Sequence, residues 1–365
     1  MATPLKYMYS PAYFERLCPV LKRNLTNFNC NDFIFRIFNN QWPELELKAR
    51  VRHITNALHQ FVSPDFSIAS RQLISIADDL REHEPLQGFH NIFLPDYFEV
   101  YGLEDPDISL PALGQITKLV SAEFAVRPFI SRYPEKAMEY LTQWSISPDA
   151  SVRRLSSEGC RPRLPWATAL PQFKKDPSPI LPLLENLKED QSLYVRKSVA
   201  NNINDIAKDH PDIVINLLSN WKGKNQYTDW ILRHGCRSLL KQGHIQALSY
   251  HGFSPDSKAG IRDLLLPEKV KIGTHLDFSF AFVSREKRPT NFRLEYAIDY
   301  ITASGKTSRK IFKLSENIFS PGQAVAIRRK QSFRDFSTRK HFKGKHQLQI
   351  LANGKNIAAS EFIVC

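Results

Sequence analysis

The sequence is poor in cysteine and lacks the cysteine spacings that mark a metal site. Its five cysteines are scattered over 365 residues, at Cys18, Cys30, Cys160, Cys236 and Cys365. No Cys-x-x-Cys pair occurs among them, so the pattern predicts neither a zinc site nor a disulfide framework. We therefore expect a reduced chain that works in the cytoplasm.

Long apolar stretches are also missing. No run approaches the roughly 18 apolar residues that a membrane-spanning helix needs. The first 20 residues lack the apolar core of a signal peptide. These absences predict a soluble chain that is not exported and has no membrane partner.

Acidic charge is scarce in the C-terminal segment. The chain holds 50 Lys and Arg against 37 Asp and Glu, a net charge of +13, and residues 268–365 carry +11 of it, with 19 basic and 8 acidic residues. This asymmetry indicates a polyanion partner, and nucleic acid is favoured over membrane because no basic amphipathic helix accompanies the charge. The alternative is a basic surface that only keeps the protein soluble.

The apolar content, 42% of residues, is sufficient for a sizeable core, and the length suits two domains or one long solenoid. Within it a helix start recurs: Val152-Arg153-Arg154 and Val195-Arg196-Lys197 lie 43 residues apart. That spacing is the period of HEAT-type repeats. A third, degenerate copy, Leu232-Arg233-His234, begins the next repeat. Helices in equivalent register stack into a solenoid, which we assign to residues 1–256.

Two carboxylates occur in this repeat register. Glu158 corresponds to Asn201 of the next repeat, and Asp205 lies one helical turn beyond Asn201. Because packed helices lie roughly 8–10 Å apart, we expect Glu158 and Asp205 to face one groove. Both lie among arginines, so we expect acidic and basic side chains to meet in this groove.

The segment after Glu158 is a loop with two prolines, Arg161-Pro-Arg-Leu-Pro-Trp166. The prolines hold the loop extended and reduce the entropy lost on binding. Arg161 and Arg163 offer forks for phosphate, and Trp166 offers a large aromatic face. The alternative is a loop that only caps the helical stack.

A further carboxylate, Glu123, falls on the apolar stripe of a helix predicted over residues 113–130, in which Pro128 marks a kink or an end. A buried carboxylate needs a partner. The nearest candidate is Arg127, one turn later. Spacing alone therefore favours a structural ion pair between Glu123 and Arg127.

Aromatic and basic side chains recur along the last repeat. Trp230, His234, Arg237 and Lys241 fall at i, i+4, i+7 and i+11 of one predicted helix, a pattern typical of a groove wall for a polyanion. We assign no catalytic role to His234. The predicted polyanion contacts of the solenoid are Arg153, Arg161, Arg163, Arg196, Lys197, Trp230, Arg233, His234, Arg237 and Lys241.

Beyond residue 257 the apolar period changes from 3.6 to 2. Residues 274–283, 291–300 and 346–351 alternate apolar with polar side chains. Turn residues separate the runs, at Gly305, Pro321-Gly322 and Asn353-Gly354.

About seven short strands predict an antiparallel, immunoglobulin-like β-sandwich over residues 268–365. It has no Cys-Trp-Cys core and so is not an antibody-type domain. A basic cluster, Arg328, Arg329 and Lys330, is predicted to hold the backbone of a nucleic acid. The predicted fold class is thus multidomain α and β, a HEAT-like α-solenoid followed by a small sandwich.

Four stretches, AEFAVRPFI, SEGCRPRLPW, YVRKSVANNINDIAKDHP and TDWILRHGCRSLLKQG, resemble the HEAT-like-repeat alkylpurine DNA glycosylases of the AlkC type. The resemblance implies excision of N3-methylated bases, 3-methyladenine and 3-methylcytosine, from duplex DNA. It also implies that Glu123, Glu158 and Asp205 are active-site acids and that Trp166 is their aromatic neighbour. It therefore replaces the structural interpretation of Glu123. Cys160 stands where the family pattern commonly has a small residue.

The residue types suit this chemistry. Cleavage of an N-glycosidic bond develops an oxocarbenium-like sugar, which carboxylates stabilise while one of them positions water. A base methylated at N3 is already cationic and leaves without a general acid. No lysine of Schiff-base type is recognised among the acids, so we expect a monofunctional hydrolase. No metal or cofactor is implied, and we expect a monomer.

Two other interpretations stay open at this stage. A HEAT scaffold without catalytic activity would share the basic stripe but would not need Glu158 or Asp205. A nuclease would need a tight acidic cluster around two metal ions, and magnesium dependence would reveal it.

Overall fold

The computed structural model describes residues 4–82, 88–336 and 340–365. Helices occupy the chain up to Tyr250, and strands begin at Ala259. The predicted fold class, a repeat-type helical region followed by an immunoglobulin-like domain, is confirmed.

Contacts divide the chain into two compact units, each assembled from two segments. The helical unit comprises residues 1–209 and 223–235, and the sandwich unit comprises residues 210–222 and 236–365.

The described residues form sixteen α-helices. They are α1 (Pro11–Asn24), α2 (Cys30–Ile37), α3 (Leu47–His59), α4 (Phe66–Glu82), α5 (Phe93–Tyr101), α6 (Pro106–Ile116), α7 (Val126–Arg132), α8 (Pro134–Ser145), α9 (Ala150–Gly159), α10 (Pro171–Lys175), α11 (Leu181–Leu187), α12 (Leu193–Ile206), α13 (Pro211–Trp221), α14 (Gln226–Gly235), α15 (Arg237–Lys241) and α16 (Ile245–Tyr250).

The repeat appears as helices that pack side by side. α8 packs on α9, α11 packs on α12, and α12 lies between α9 and α14. Val152 and Val195 are each the third residue of their helix, so the two clear copies of the motif begin α9 and α12 in the same place. Leu232 is instead the seventh residue of α14, and the third copy is therefore displaced along its helix.

A side-chain cap explains where α9 begins. At α9, the Asp149 carboxylate accepts hydrogen bonds from the backbone N–H groups of Ser151 at 2.8 Å and Val152 at 3.2 Å. Such a cap supplies acceptors to amides that lack a partner within the helix, typically worth about 1 kcal/mol. It fixes the start of the helix that carries Glu158.

Two predicted helices are interrupted in the structure. The helix expected over residues 113–130 is wrong, because α6 ends at Ile116 and α7 begins at Val126. Pro128 lies in the first turn of α7, where no intrahelical partner is needed for its missing N–H. The single helix expected from Trp230 to Lys241 is also wrong, since α14 ends at Gly235 and α15 begins at Arg237.

The sandwich consists of a three-stranded and a five-stranded sheet. Its strands are β1 (Ala259–Leu265), β2 (Lys269–Val270), β3 (His275–Ser284), β4 (Thr290–Ile301), β5 (Thr307–Phe319), β6 (Ala324–Ser332), β7 (Gly344–Ala352) and β8 (Lys355–Val364). The sheet orders are β1-β3-β6 and β2-β8-β7-β4-β5. Phenylalanine, tyrosine and leucine side chains from both sheets form one buried core.

Turn chemistry sets the hairpins of this domain. Asn353 and Gly354 join β7 to β8 with φ angles of 46° and 79°, the positive values that a two-residue turn with right-handed strand twist requires.

The first strand was not anticipated, because β1 begins at Ala259, before the predicted domain start at 268, and its burial alternates weakly. β1 is placed by its antiparallel pairing with β3. The predicted domain limits, residues 1–256 and 268–365, stay a prediction.

Cysteine spacing misled the sequence analysis at one point. Cys18 on α1 and Cys30 on α2 form a disulfide, with Cα atoms 5.6 Å apart. The expectation of a fully reduced chain is wrong for this pair, which the packing of α1 against α2 brings together.

None of the described helices is long and apolar enough to cross a membrane.

Candidate active site

Glu158 and Asp205 meet in the helical unit through one guanidinium. Arg161 Nη1 lies 2.6 Å from Glu158 Oε1, and Arg161 Nε lies 3.0 Å from Asp205 Oδ2. All three residues are buried, with Arg161 only 6% exposed. The two acids therefore lie close together, as the repeat register predicted, and their role in an active site stays a prediction. Arg161 is not the free phosphate fork that the sequence suggested, because its charge is committed to the two acids.

Arg127 holds the segment that follows Glu158. Its guanidinium donates to the carbonyl oxygens of Gly159 and Arg161 at 2.9 Å each, and to that of Thr168 at 2.8 Å. Burial lowers the pKa of Arg127 to about 10. Arg127 therefore anchors the loop by its backbone, and the predicted ion pair with Glu123 is absent from the described contacts.

Gly159 is required where α9 ends against α7. A Cβ atom on Gly159 would lie 2.6 Å from Cγ1 of Val126, closer than real Cβ contacts allow. The close approach brings the carbonyl of Gly159 within reach of Arg127. It also places Glu158 beside the turn that carries Glu123.

Glu123 lies in the turn before α7 and joins the same cluster. Ser121 Oγ donates to Glu123 Oε2 at 2.8 Å, and Arg154 forms an ion pair with the same carboxylate. Arg154 Nη2 also lies 3.5 Å from Glu158 Oε1. Arg154 thus links the third acid to the first two.

Arg154 is a site residue that the sequence analysis missed. Burial lowers the pKa of Arg154, but the carboxylates of Glu158 and Glu123 more than offset this, so its pKa lies above the ordinary value. The ring of Tyr194, at the start of α12, lies 4.8 Å from the guanidinium carbon of Arg154 and is 48% exposed. Consecutive helical residues point about 100° apart. Of the adjacent residues Arg153 and Arg154, only one could therefore lie on the helix face of Glu158. Arg154, four residues before Glu158, is that residue.

A third cation completes the cluster. Lys208 Nζ lies 2.9 Å from Asp205 Oδ1. Three carboxylates are thus matched by three cations: Glu123, Glu158 and Asp205 by Arg154, Arg161 and Lys208.

Trp166 is the exposed aromatic residue of the loop. Its φ angle is 65°, a left-handed conformation that bulky residues rarely adopt, and its side chain is 61% exposed. Backbone strain of this kind persists where surrounding contacts hold it, often at functional sites. Lys48 donates to its carbonyl oxygen, and the ring of Phe89 lies 6.5 Å from the Trp166 ring.

Trp166 borders a cavity of about 320 Å³ between α3, α5 and the turn that carries Ser121. Phe89 and Phe124 form aromatic walls. Arg52 pairs there with Asp96 at 2.8 Å and with Glu99 at 3.0 Å. Burial, and then repulsion from Asp96, raises the pKa of the Glu99 carboxyl.

The predicted DNA-binding residues fall into two groups. Arg153, Arg161, Arg163 and Arg196 are engaged within the protein, Arg163 by an ion pair with Asp209. The second group is defined by exposure: Trp230 and Arg237 are half-buried, and the exposed members are Lys197, Arg233, His234, Lys241, Arg328, Arg329 and Lys330. Members of this group also have partners within the protein, as in the 3.7 Å contact of Lys330 Nζ with Asp277 Oδ1. The rings of Trp230 and His234 stack with centroids 3.8 Å apart. In residues 4–82, 88–336 and 340–365, no three His, Cys, Asp or Glu side chains are grouped as metal ligands.

Comparison with known proteins agrees with this arrangement. Residues 120–239, which include the three acids, match the family described as "DNA alkylation repair enzyme", and residues 261–365 match "Uncharacterised protein YhaZ, C-terminal Ig-like domain". The chain is 40% identical over 362 residues, 99% of both chains, to the protein YhaZ of Bacillus subtilis strain 168.

A solved structure matches over the full length of both chains, with a TM-score of 0.92 and 35% identity. It is the Pseudomonas fluorescens alkylpurine DNA glycosylase AlkC bound to DNA containing an abasic site analog. The chain therefore belongs to the family of DNA alkylation repair enzymes, in the AlkC-type branch that carries a C-terminal immunoglobulin-like domain.

Proposed function

We propose that this protein is a monofunctional DNA glycosylase that hydrolyses the N-glycosidic bond of cationic N3-methylated bases, 3-methyladenine and 3-methylcytosine, in duplex DNA. It acts as a monomer in the cytoplasm. The observation that carries the proposal is the meeting of Glu123, Glu158 and Asp205 from three separate segments, within a chain that matches AlkC along its whole length.

The acids act on the sugar. As the bond to the base breaks, positive charge develops on the deoxyribose, and nearby carboxylates stabilise it in a site with little water. Glu158 and Asp205 are the candidates for this role, and one of them orients the water that attacks the sugar. Their buried hydrogen bonds to Arg161 hold both carboxylates in place before DNA arrives.

The leaving group needs no acid. An N3-methylated purine or pyrimidine carries its positive charge before the reaction, and cleavage releases it as a neutral base. Trp166 supports this selectivity, because an exposed indole face attracts a cationic ring.

Water is the proposed nucleophile. Lys208 Nζ lies 2.9 Å from Asp205 Oδ1, within hydrogen-bonding distance of a cluster acid. An ammonium held in an ion pair has no lone pair with which to attack a sugar carbon. The product is therefore an intact abasic strand.

Affinity comes from exposed basic groups. In the helical unit, Lys197 and Arg233 are proposed to meet phosphates, with the stacked rings of Trp230 and His234 beside them. In the sandwich unit, Lys241 and the β6 cluster of Arg328, Arg329 and Lys330 have the same role.

One assay tests the proposal. Duplex DNA treated with a methylating agent is incubated with the protein in EDTA, and free bases are separated by chromatography. We expect release of 3-methyladenine greatly above that of uracil from a matched uracil duplex, with no strand cleavage before alkali. Absence of base release, with DNA binding retained, would instead favour a scaffold without catalytic activity.

A further inference from the structure

Each of the three acids already has a cationic partner before substrate arrives. The three carboxylates are matched by Arg154, Arg161 and Lys208. A cationic base or an oxocarbenium-like sugar would add a further positive charge to a site with little water, where buried Arg127 already interacts with Asp205 and Glu123. Buried charge without a counter-charge is strongly destabilising. A resident cation must therefore withdraw if the acids are to stabilise the substrate.

Arg161 is the cation least able to move. Its guanidinium bridges Glu158 and Asp205, and its carbonyl oxygen is held by Arg127 at 2.9 Å. Lys208 already lies near the surface, with its side chain 39% exposed. Its withdrawal would change the charge around Asp205 but not around Glu123.

Arg154 is held differently from its neighbour along the helix. The hydrogen bonds of Arg154 run to the side chains of Ser121 and Glu123, and its contact with Glu158 is longer, at 3.5 Å. Arg153, by contrast, donates to two backbone carbonyls as well as to Asp190. Arg154 can thus exchange partners by side-chain rotation alone.

Tyr194 offers Arg154 a second partner. Its ring lies 4.8 Å from the guanidinium and is half exposed, on the helix of the next repeat. A cation over an aromatic face is worth about 0.5–2 kcal/mol. A guanidinium that leaves Glu123 therefore keeps part of its stabilisation if it stays on this ring.

We propose that Arg154 is a resident counter-ion that a cationic substrate displaces from Glu123 and Glu158, and that Tyr194 holds the displaced guanidinium. The proposal rests on the proposed function for the identity of the substrate. It adds a source of selectivity: a neutral base leaves Arg154 in place and the acids neutralised. Arg154 and Tyr194 are then positioning residues.

The test uses the full-length protein and two duplexes that differ in charge at one position. One contains a tetrahydrofuran abasic analogue, which is neutral, and the other a pyrrolidine analogue, which is cationic at neutral pH. The measured quantity is the ratio of their Kd values at one salt concentration. Phosphate contacts affect both duplexes equally and cancel in this ratio.

We expect Arg154→Gln to raise the preference for the pyrrolidine duplex by roughly tenfold or more, because the cluster then lacks one resident cation. Arg132→Gln, which removes an exposed arginine of the same unit that pairs with Glu104 outside the cluster, leaves the ratio at its wild-type value. Tyr194→Ala lowers the preference several-fold, since the displaced guanidinium loses its ring, and Tyr194→Phe preserves it. An unchanged or lower ratio in Arg154→Gln overturns the proposal.

A second measurement avoids any effect of these substitutions on folding. In a crystal structure of the wild-type protein with the pyrrolidine duplex, the Arg154 guanidinium should lie on Tyr194 and no longer on Glu123. A guanidinium still paired with Glu123 contradicts displacement. Neither measurement depends on turnover, so absence of base release would refute the proposed glycosylase activity without deciding the fate of Arg154.

Discussion

Arg153 and Arg196, 43 residues apart, make the same pair of hydrogen bonds. Each donates through Nη1 to the carbonyl oxygens five and six residues earlier, at 2.9 and 2.8 Å for Arg153 and at 2.7 and 2.9 Å for Arg196. These carbonyls belong to the turns that precede α9 and α12. The arginine of the repeated motif therefore fixes the start of a repeat, and the next residue, Arg154 or Lys197, is left for other partners.

This division of roles predicts opposite effects for neighbouring residues. Arg196→Ala should lower the free energy of unfolding by about 1–3 kcal/mol, because two carbonyls lose a charged donor. The rings of Tyr227 and Trp230 also lose the guanidinium they face. Urea unfolding followed by circular dichroism measures the change.

Lys197→Ala is the matched control at the adjacent, exposed position. It should change stability by less than about 0.5 kcal/mol while weakening DNA binding. Equal stability of the two variants would mean that the motif arginine is not a structural anchor.

The acids are expected to carry the chemistry. Glu158→Gln and Asp205→Asn keep the size and the hydrogen-bond acceptor of each side chain but remove the negative charge. Each should reduce single-turnover base excision by on the order of 10²-fold or more, as loss of one electrostatic stabiliser commonly does. Affinity for a tetrahydrofuran duplex should persist.

Asp209→Asn controls for loss of an acid that lies outside the cluster, since Asp209 pairs with Arg163. It should excise at close to the wild-type rate. Wild-type excision by both cluster variants would remove Glu158 and Asp205 from the mechanism.

The β6 cluster is expected to contribute affinity and not chemistry. Each phosphate contact made by Lys or Arg adds about −0.9 to the slope of log K against log salt. Changing Arg328, Arg329 and Lys330 together to glutamine in the full-length protein should therefore flatten that slope by up to about 2.7. Excision at saturating enzyme should be unaffected.

Lys355→Gln removes an exposed cation that already pairs with Asp256, and it should leave the slope nearly unchanged. If the triple variant and wild type give superimposable salt dependences, the β6 cluster does not contact DNA.

Thiol titration should resolve the cysteines into three classes. Burial raises the pKa of both Cys160 and Cys236 to about 12, so at pH 8 each stays a protonated, unreactive thiol in the folded protein. The exposed Cys365 should react alone. Unfolding without reductant should expose three thiols, and reduction should expose all five.

The Cys18–Cys30 bridge should also stabilise the chain. It closes a loop of 12 residues, for which loop entropy predicts about 3 kcal/mol. Reductant, or the double change Cys18→Ser and Cys30→Ser, should lower the Tm. Five reactive thiols in the unfolded, unreduced protein would show that the bridge does not form.

Local patterns were sufficient to separate the helical region from the strands. The change of apolar period near residue 257 separates helices from strands, since side chains repeat every 3.6 residues on a helix and every 2 on a strand. Asn353-Gly354 specifies a hairpin because few other residues adopt the positive φ angles of its turn. The motif resemblance located Glu123, Glu158 and Asp205, although spacing alone favoured a structural role for Glu123.

Sequence by itself thus determined the class of each region, the repeat and the candidate acids, because these depend on residue type and on neighbours along the chain. Tertiary structure decided which charges meet. Arg161 is buried between Glu158 and Asp205 because α9 and α12 pack side by side, and Arg154 reaches Glu123 because α6 ends early and the chain turns. Such pairings depend on distances between segments that are far apart in the chain, and no local pattern encodes those distances.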